Sequence, residues 1–137
     1  MRSRLDSVDP SSAVERALEL GLVGIGGRLT MVPRDLEHAV ELTSEEYDVL
    51  AARRLARFAA VPLASDAWTR DPNGLFHRGT VTGTWTYDAS AAAYDADLVH
   101  VRRCSWDAQS LDEHRVPAAV AGTFRRGGRN FQQVRQL

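Results

Sequence analysis

The amino-acid sequence predicts an α+β domain: a small bent β-barrel of mixed or antiparallel strands, flanked by two to four helices. Helix-period patterns dominate the first half of the chain and strand patterns the second, with few of the alternating units that build a parallel sheet. One alternating segment, residues 75–87, is about twice the usual strand length and contains two glycines at which it can bend. We expect one domain over 1–137, with 1–20 as a helical extension and 21–135 as the core.

The first half of the chain predicts helices around one short strand. Pro10 suits a first helical position, and apolar residues then recur at helical spacing up to Gly21. The apolar run that follows is interrupted by glycines, which indicates a short buried strand. Thr43 and Glu46 have the spacing of a capping box, which predicts the start of a longer helix. The predicted elements are a helix over 10–20, a strand over 22–26, a helical turn over 34–40 and a helix over 43–58.

The second half predicts strands joined by turns. Residues 71–74, Asp-Pro-Asn-Gly, are turn formers between two strand patterns and indicate a hairpin. In the long strand after them, odd positions are mainly apolar and even positions are rich in threonine, and we expect the bend at Gly79 or Gly83. The predicted elements are strands over 68–70, 75–87, 97–103 and 130–135, an alanine-rich loop over 89–96, a short helix over 116–121, and a turn at Gly127 and Gly128.

Composition and charge exclude several classes of protein. All 17 basic residues are arginine, so the chain has neither the lysine of a Walker A loop nor a Schiff-base lysine. The net charge is −1, but residues 1–50 hold 5 Arg against 10 acidic residues and residues 51–137 hold 12 Arg against 8, which predicts one acidic and one basic face. A single cysteine and the absence of a long apolar run predict a cytoplasmic protein in a reducing compartment, away from membranes. We expect no cofactor and no metal.

Few residues suggest catalysis. The glycine cluster near residue 24 lacks the spacing of a nucleotide-binding loop, because Leu29 stands where a third glycine is needed. His100 and Cys104 are close enough in sequence to share a strand face, so one alternative is a small intracellular enzyme that uses this pair. A buried structural cysteine is the competing interpretation. A second alternative is a protein-interaction module, whose acidic half, including Glu45 and Glu46, docks a basic partner.

The aromatic residues of the hairpin region suggest binding. Trp85 and Tyr87 are two residues apart and therefore share one face of the predicted strand, and Trp68 stands just before the hairpin. Nucleobases stack on such rings for about 1–3 kcal/mol each. Packing in the core is the competing interpretation for all three rings.

A cluster of arginines near the C-terminus suggests an anion. Arg125, Arg126 and Arg129 surround a glycine pair and are bracketed by phenylalanines. Guanidinium forks and exposed amides suit phosphate oxygens, so these arginines are candidate phosphate contacts. A solvated basic loop is the competing interpretation.

Several segments together carry a family pattern. They are Trp68-Thr69-Arg70-Asp71, Gly74-Leu75-Phe76, the run Gly-Thr-Val-Thr-Gly-Thr-Trp-Thr-Tyr-Asp over 79–88, Val99-His100-Val101-Arg102-Arg103, Trp106 and Val116-Pro117. This order resembles the PUA-like superfamily and is most similar to its EVE and YTH-type branch. The run Gly21-Leu22-Val23-Gly24-Ile25-Gly26 would be the first strand of that fold.

The resemblance implies a barrel pocket that receives a flipped, modified base such as a methylated cytosine or adenine. It implies a nucleic-acid partner, DNA or RNA, and a nuclease or other effector, because relatives are often fused to nucleases or ATPases that restrict modified DNA. By resemblance, Trp68, Trp85 and Tyr87 line the pocket, and the backbone around Gly26 contacts the base edge. Gly27 departs from the pattern, since related chains often place an aromatic residue there. The predicted function is a non-catalytic module that reads a modified base.

Overall fold

A computed structural model of the chain describes residues 10–125, which form an α+β arrangement of helices around one curled antiparallel sheet. The helices are α1 (Pro10–Leu20), α2 (Leu36–Glu46), α3 (Val49–Ala60), α4 (Ala91–Ala96) and α5 (Ala118–Arg125). The strands are β1 (Leu22–Ile25), β2 (Asp66–Arg70), β3 (Phe76–Val81), β4 (Thr86–Tyr87) and β5 (His100–Trp106). The predicted turn at Gly127 and Gly128 and the predicted strand over 130–135 lie outside the described residues.

Strand β5 is the centre of the sheet. It pairs with β1 on one edge, and on the other edge it pairs first with β3 and then with β4, while β2 extends the sheet beyond β3. All of these pairings are antiparallel. The sheet curls into half a barrel, which agrees with the predicted bent, antiparallel architecture.

The predicted long strand over 75–87 is divided by a bulge at Gly83. Five residue steps, from Val81 to Thr86, lie opposite only three steps of β5. The backbone N–H groups of Thr82 and Gly83 both donate to the Arg103 carbonyl, at 2.9 and 3.3 Å. The bend predicted at Gly79 or Gly83 is therefore at Gly83, because extra residues on one strand force it to curve.

Gly79 has a packing role instead. A Cβ atom added there would lie 2.5 Å from the Cys104 sulfur and 2.7 Å from the Trp106 ring. These distances are too short for a real contact, so β3 approaches β5 closely only because position 79 has no side chain.

The helix predicted over 43–58 is wrong in its start and its continuity. Two helices, α2 and α3, occupy this region, and their N-caps are Asp35 and Asp48, whose carboxylates accept from the backbone N–H groups of His38 and Ala51. Thr43 lies inside α2 and donates its hydroxyl to the Ala39 carbonyl at 2.7 Å. A threonine that bonds back to its own helix does not start a new one, so the capping-box interpretation fails.

The alanine-rich loop predicted over 89–96 is also wrong. Its residues form α4, which Ser90 caps by accepting from the Ala93 N–H at 3.2 Å. The helix ends at Asp97, which has the left-handed conformation, φ 47°. The predicted strand over 97–103 therefore begins later, at His100, because Asp97 has left the extended conformation to terminate α4.

The two faces of the sheet bury different groups of side chains. One face packs Trp68 and Phe76 against α5. The other packs Ile25, Trp85 and Tyr87 against α2 and α3. Helix α1 contributes Ala13 and Ala17 to a further buried cluster with Leu98 and Val101. No helix within residues 10–125 has the length and apolar character needed to cross a lipid bilayer.

Candidate functional site

Three rings meet where β4 pairs with β5. Tyr87 lies directly opposite His100 in the register, so both side chains point to the same face of the sheet. The His100 ring stacks on Trp85, with centroids 6.1 Å apart and 26° between the planes, and it meets the edge of Tyr87 at 5.3 Å. His100 is fully buried, while Trp85 and Tyr87 are half-buried. We name Trp85, Tyr87 and His100 the aromatic cluster.

Residues 26–30, which we name the site loop, follow β1 and are tied to the aromatic cluster by a closed ring of hydrogen bonds. The Leu29 N–H donates to the Tyr87 hydroxyl at 3.0 Å, and the Tyr94 hydroxyl donates to the Leu29 carbonyl at 2.9 Å. The two hydroxyl oxygens are 2.5 Å apart. Because the Tyr94 proton is used on the carbonyl, Tyr87 donates to Tyr94. Burial and the Tyr94 contact raise the pKa of Tyr87, so the Tyr87 hydroxyl keeps the proton that it donates to Tyr94.

Asp97 ties down the start of the site loop. Its buried carboxylate accepts from the backbone N–H groups of Gly27 and Arg28, at 3.0 and 3.1 Å. A Cβ atom added at Gly26 would lie 2.6 Å from the other carboxylate oxygen of Asp97. Gly26 therefore admits Asp97 close to the backbone, and Gly27 supplies the φ of +119° that the loop needs there.

His100 carries a defined proton arrangement. The Trp85 Nε1–H donates to His100 Nδ1 at 3.2 Å, so Nδ1 is an acceptor and the neutral ring carries its proton on Nε2. Burial lowers the pKa of His100 to about 4, although the nearby Gly27 backbone and Asp97 act in the opposite direction. The imidazole is therefore neutral near pH 7.

The buried neutral His100 predicts a pH dependence of stability. In the unfolded chain its pKa returns to about 6.5, so as the pH falls below that value the unfolded state takes up a proton that the folded state refuses. Between pH 7.5 and pH 5 this group alone should lower the free energy of unfolding by about 2 kcal/mol. Urea unfolding at the two pH values measures the loss, which His100→Gln should largely abolish. The exposed His114→Gln should leave it unchanged; an equal loss in His100→Gln would contradict the assignment.

Trp68 does not join the aromatic cluster, which corrects the predicted pocket of Trp68, Trp85 and Tyr87. It pairs with Arg78 across the hairpin, so its side chain points to the same face as Arg78 and Phe76. Tyr87 belongs to the opposite face. Trp68 is 2% exposed and packs in the cluster against α5. The core interpretation therefore holds for Trp68, and the sheet itself separates it from the other two rings.

The geometry does not support a nucleophile and base at Cys104 and His100. Four residues along a strand separate their backbones by about 13 Å, and Cys104 packs in a different cluster, with Val23 and Val81. Burial raises the pKa of the Cys104 thiol to about 12. A thiol that stays protonated is a poor nucleophile.

The proposed phosphate contacts lie at the limit of the described chain. Arg125 is the last residue of α5, and its side chain is not described; Arg126 and Arg129 lie outside the described residues. Glu46, from the acidic half, accepts from the Thr30 N–H at 3.0 Å and so supports the site loop. Across residues 10–125, no group of three His, Cys, Asp or Glu side chains is placed to hold a metal ion.

Sequence reasoning missed two residues of the site, Tyr94 and Asp97. The sequence analysis predicts Tyr94 in a loop and Asp97 at the start of a strand, so it places neither of them at a helix beside the site loop. The Ser90 cap and the alanines after it were the signal for that helix.

Searches of family models, curated proteins and solved structures found no match to this chain. The similarity to the PUA-like superfamily therefore stays a prediction from the sequence.

Proposed function

We propose that this protein is a non-catalytic nucleic-acid-binding module that reads a modified base at the aromatic cluster. The observation that carries this proposal is the pair of half-buried rings, Trp85 and Tyr87, packed on a neutral, buried His100 beside a backbone loop. Rings in this position offer stacking faces, which suit a planar base. The PUA-like resemblance adds the expectation that the base is flipped and carries a methyl or similar group.

The site loop supports the proposal through its rigidity. Its backbone is hydrogen-bonded to Asp97, Tyr87 and Tyr94, and Tyr47 adds a bond from its hydroxyl to the Arg28 carbonyl at 2.6 Å. A loop held in place before the ligand arrives pays less conformational entropy on binding. Backbone groups around Gly26 would then meet the edge of the base while the rings meet its faces.

Charge supports a nucleic acid over a free nucleoside. Residues 51–137 hold the excess of arginine, and Arg125, Arg126 and Arg129 are the proposed phosphate contacts. A module without chemistry of its own needs an effector, so we expect a nuclease or similar partner that acts on modified DNA. Whether the nucleic acid is DNA or RNA is decided by comparing the two in the same binding assay.

Replacing Trp85 with alanine tests the proposal directly. Loss of one stacking face should weaken binding to an oligonucleotide with a modified base by about 5- to 150-fold, the equivalent of 1–3 kcal/mol. Titration at low salt, with matched modified and unmodified strands, measures the effect. Thr86→Ala is the control, because Thr86 directly follows Trp85, is exposed, and points away from the aromatic cluster. Equal weak binding of both strands, unaltered in Trp85→Ala, would refute the proposal.

A further inference from the structure

His100 has one ring nitrogen without a partner. Its Nε2 atom is buried and makes no hydrogen bond to any part of the chain that the structure describes. The whole residue is only 1% exposed, so solvent does not reach this atom. The Gly27 backbone is the neighbour on this side of the ring: it acts to raise the pKa of His100, and a Cβ atom added at Gly27 would be 3.6 Å from Nε2.

The unpartnered atom is a donor. Trp85 donates to Nδ1, at the opposite side of the ring, and this leaves the proton of the neutral imidazole on Nε2. A buried donor without an acceptor costs free energy, and such groups are rare in folded proteins. An N–H that is oriented and desolvated, but unused, is ready to bind an acceptor.

The direction of this N–H is into the site. Nδ1 faces Trp85, so Nε2 faces the side of Gly27, where the site loop passes the aromatic cluster. A ligand therefore reaches Nε2 from the side of Gly27, while Trp85 stays on Nδ1 and keeps the proton on Nε2.

We propose that the His100 Nε2–H is the specificity donor of the site, and that the ligand must present to it the unmethylated Watson–Crick-edge ring nitrogen of an uncharged base, N3 of cytosine or N1 of adenine. This inference rests on the proposed function and narrows its ligand. Bases modified at a ring carbon or at an exocyclic amino group keep their ring-nitrogen acceptor. Bases methylated on that nitrogen lose it and become cationic.

The donor separates two groups of modified base. 5-Methylcytosine and N6-methyladenine keep the acceptor and should bind. 3-Methylcytosine and 1-methyladenine block it and carry a positive charge, which a ring that donates a hydrogen bond disfavours. We expect the second group to bind at least about fivefold more weakly, the effect of losing one hydrogen bond.

The variants His100→Phe and His100→Gln test the role of the donor. Phenylalanine keeps a ring of similar shape without the donor, and the glutamine amide can donate from near the Nε2 position. In His100→Phe the preference between the two groups of oligonucleotide should vanish, while His100→Gln should restore part of it. A merely structural role would weaken both groups equally and leave the preference unchanged, which would overturn the proposal.

Histidine nitrogen NMR on the wild-type protein gives a test that does not depend on folding of a variant. Free 5-methylcytidine, N6-methyladenosine and the same bases in oligonucleotides are titrated while the His100 Nε2–H signal is followed. A shift with oligonucleotides supports both proposals. If the nucleosides shift the signal but modified strands bind no better than unmodified ones, the donor is supported and the proposed reading of modified bases in nucleic acid is overturned. The donor proposal is overturned if oligonucleotides bind without a shift or if no probe causes a shift. It is also overturned if a buried water holds the Nε2–H and no probe displaces that water.

Discussion

Replacing Arg102 with alanine is expected to lower the free energy of unfolding by about 3–5 kcal/mol. Arg102 is 3% exposed, and its guanidinium donates to three backbone carbonyls, those of Gly83, Phe58 and Val61, at 2.8, 3.0 and 2.6 Å. Alanine would leave these three acceptors without their donor and open a cavity. The loss should be among the largest from any single side chain.

Arg102 also positions the site. The Phe58 and Val61 carbonyls lie at the C-terminal end of α3, where a cation is favourable, and Gly83 belongs to the bulge that precedes Trp85. One side chain thus joins a helix end to the strand segment that carries the aromatic cluster. Burial lowers the pKa of Arg102, but a guanidinium remains charged across the physiological range.

Urea unfolding of matched variants measures the effect. Arg103→Ala is the control, since Arg103 is the next residue of β5 and is exposed; its loss should stay within about 0.5 kcal/mol. Arg102→Met fills most of the space without the donors, so the difference between Met and Ala isolates packing from hydrogen bonding. Equal stability of Arg102→Ala and Arg103→Ala would show that the three bonds contribute nothing.

The break between α2 and α3 illustrates which part of the fold the sequence could predict. Apolar residues keep helical spacing through this region, so the presence of helix is readable from local pattern. Its boundary depends on a choice between two capping residues, Thr43 and Asp48. That choice involves Tyr47, whose hydroxyl bonds to the Arg28 carbonyl of a distant loop. A contact between residues 19 positions apart leaves no signal in the sequence pattern around the helix boundary.

The candidate site also has one part that the local sequence pattern predicts and one part that it does not. Trp85 and Tyr87 share a face because alternation along one strand is local, and that spacing is visible in the sequence. The exclusion of Trp68 depends on the register Trp68 to Arg78, and the placement of His100 opposite Tyr87 depends on the two extra residues in the bulge. Register between strands is set by tertiary contacts, so these pairings could not be predicted from spacing alone.

Replacing Asp97 with glycine is expected to cost about 3 kcal/mol of stability, because the N–H groups of Gly27 and Arg28 each lose a bond to a buried carboxylate. Glycine is the suitable replacement, since it adopts the left-handed conformation of Asp97 without strain. Asp97→Asn keeps an acceptor oxygen but removes the charge, so its cost should be smaller, about 1–2 kcal/mol. Urea unfolding measures both variants, with the exposed Asp95→Asn of α4 as control.

The same variants connect the loop to the proposed function. If backbone groups near Gly26 meet the base edge, releasing the site loop should weaken binding to a modified oligonucleotide under conditions where the variant remains folded. We expect Asp97→Asn to lose affinity for the modified strand more than for the unmodified one, because only the former uses the aromatic cluster. An Asp97→Asn protein that is destabilised yet keeps the full preference would show that Asp97 supports the fold alone, and that the site loop is not part of the recognition surface.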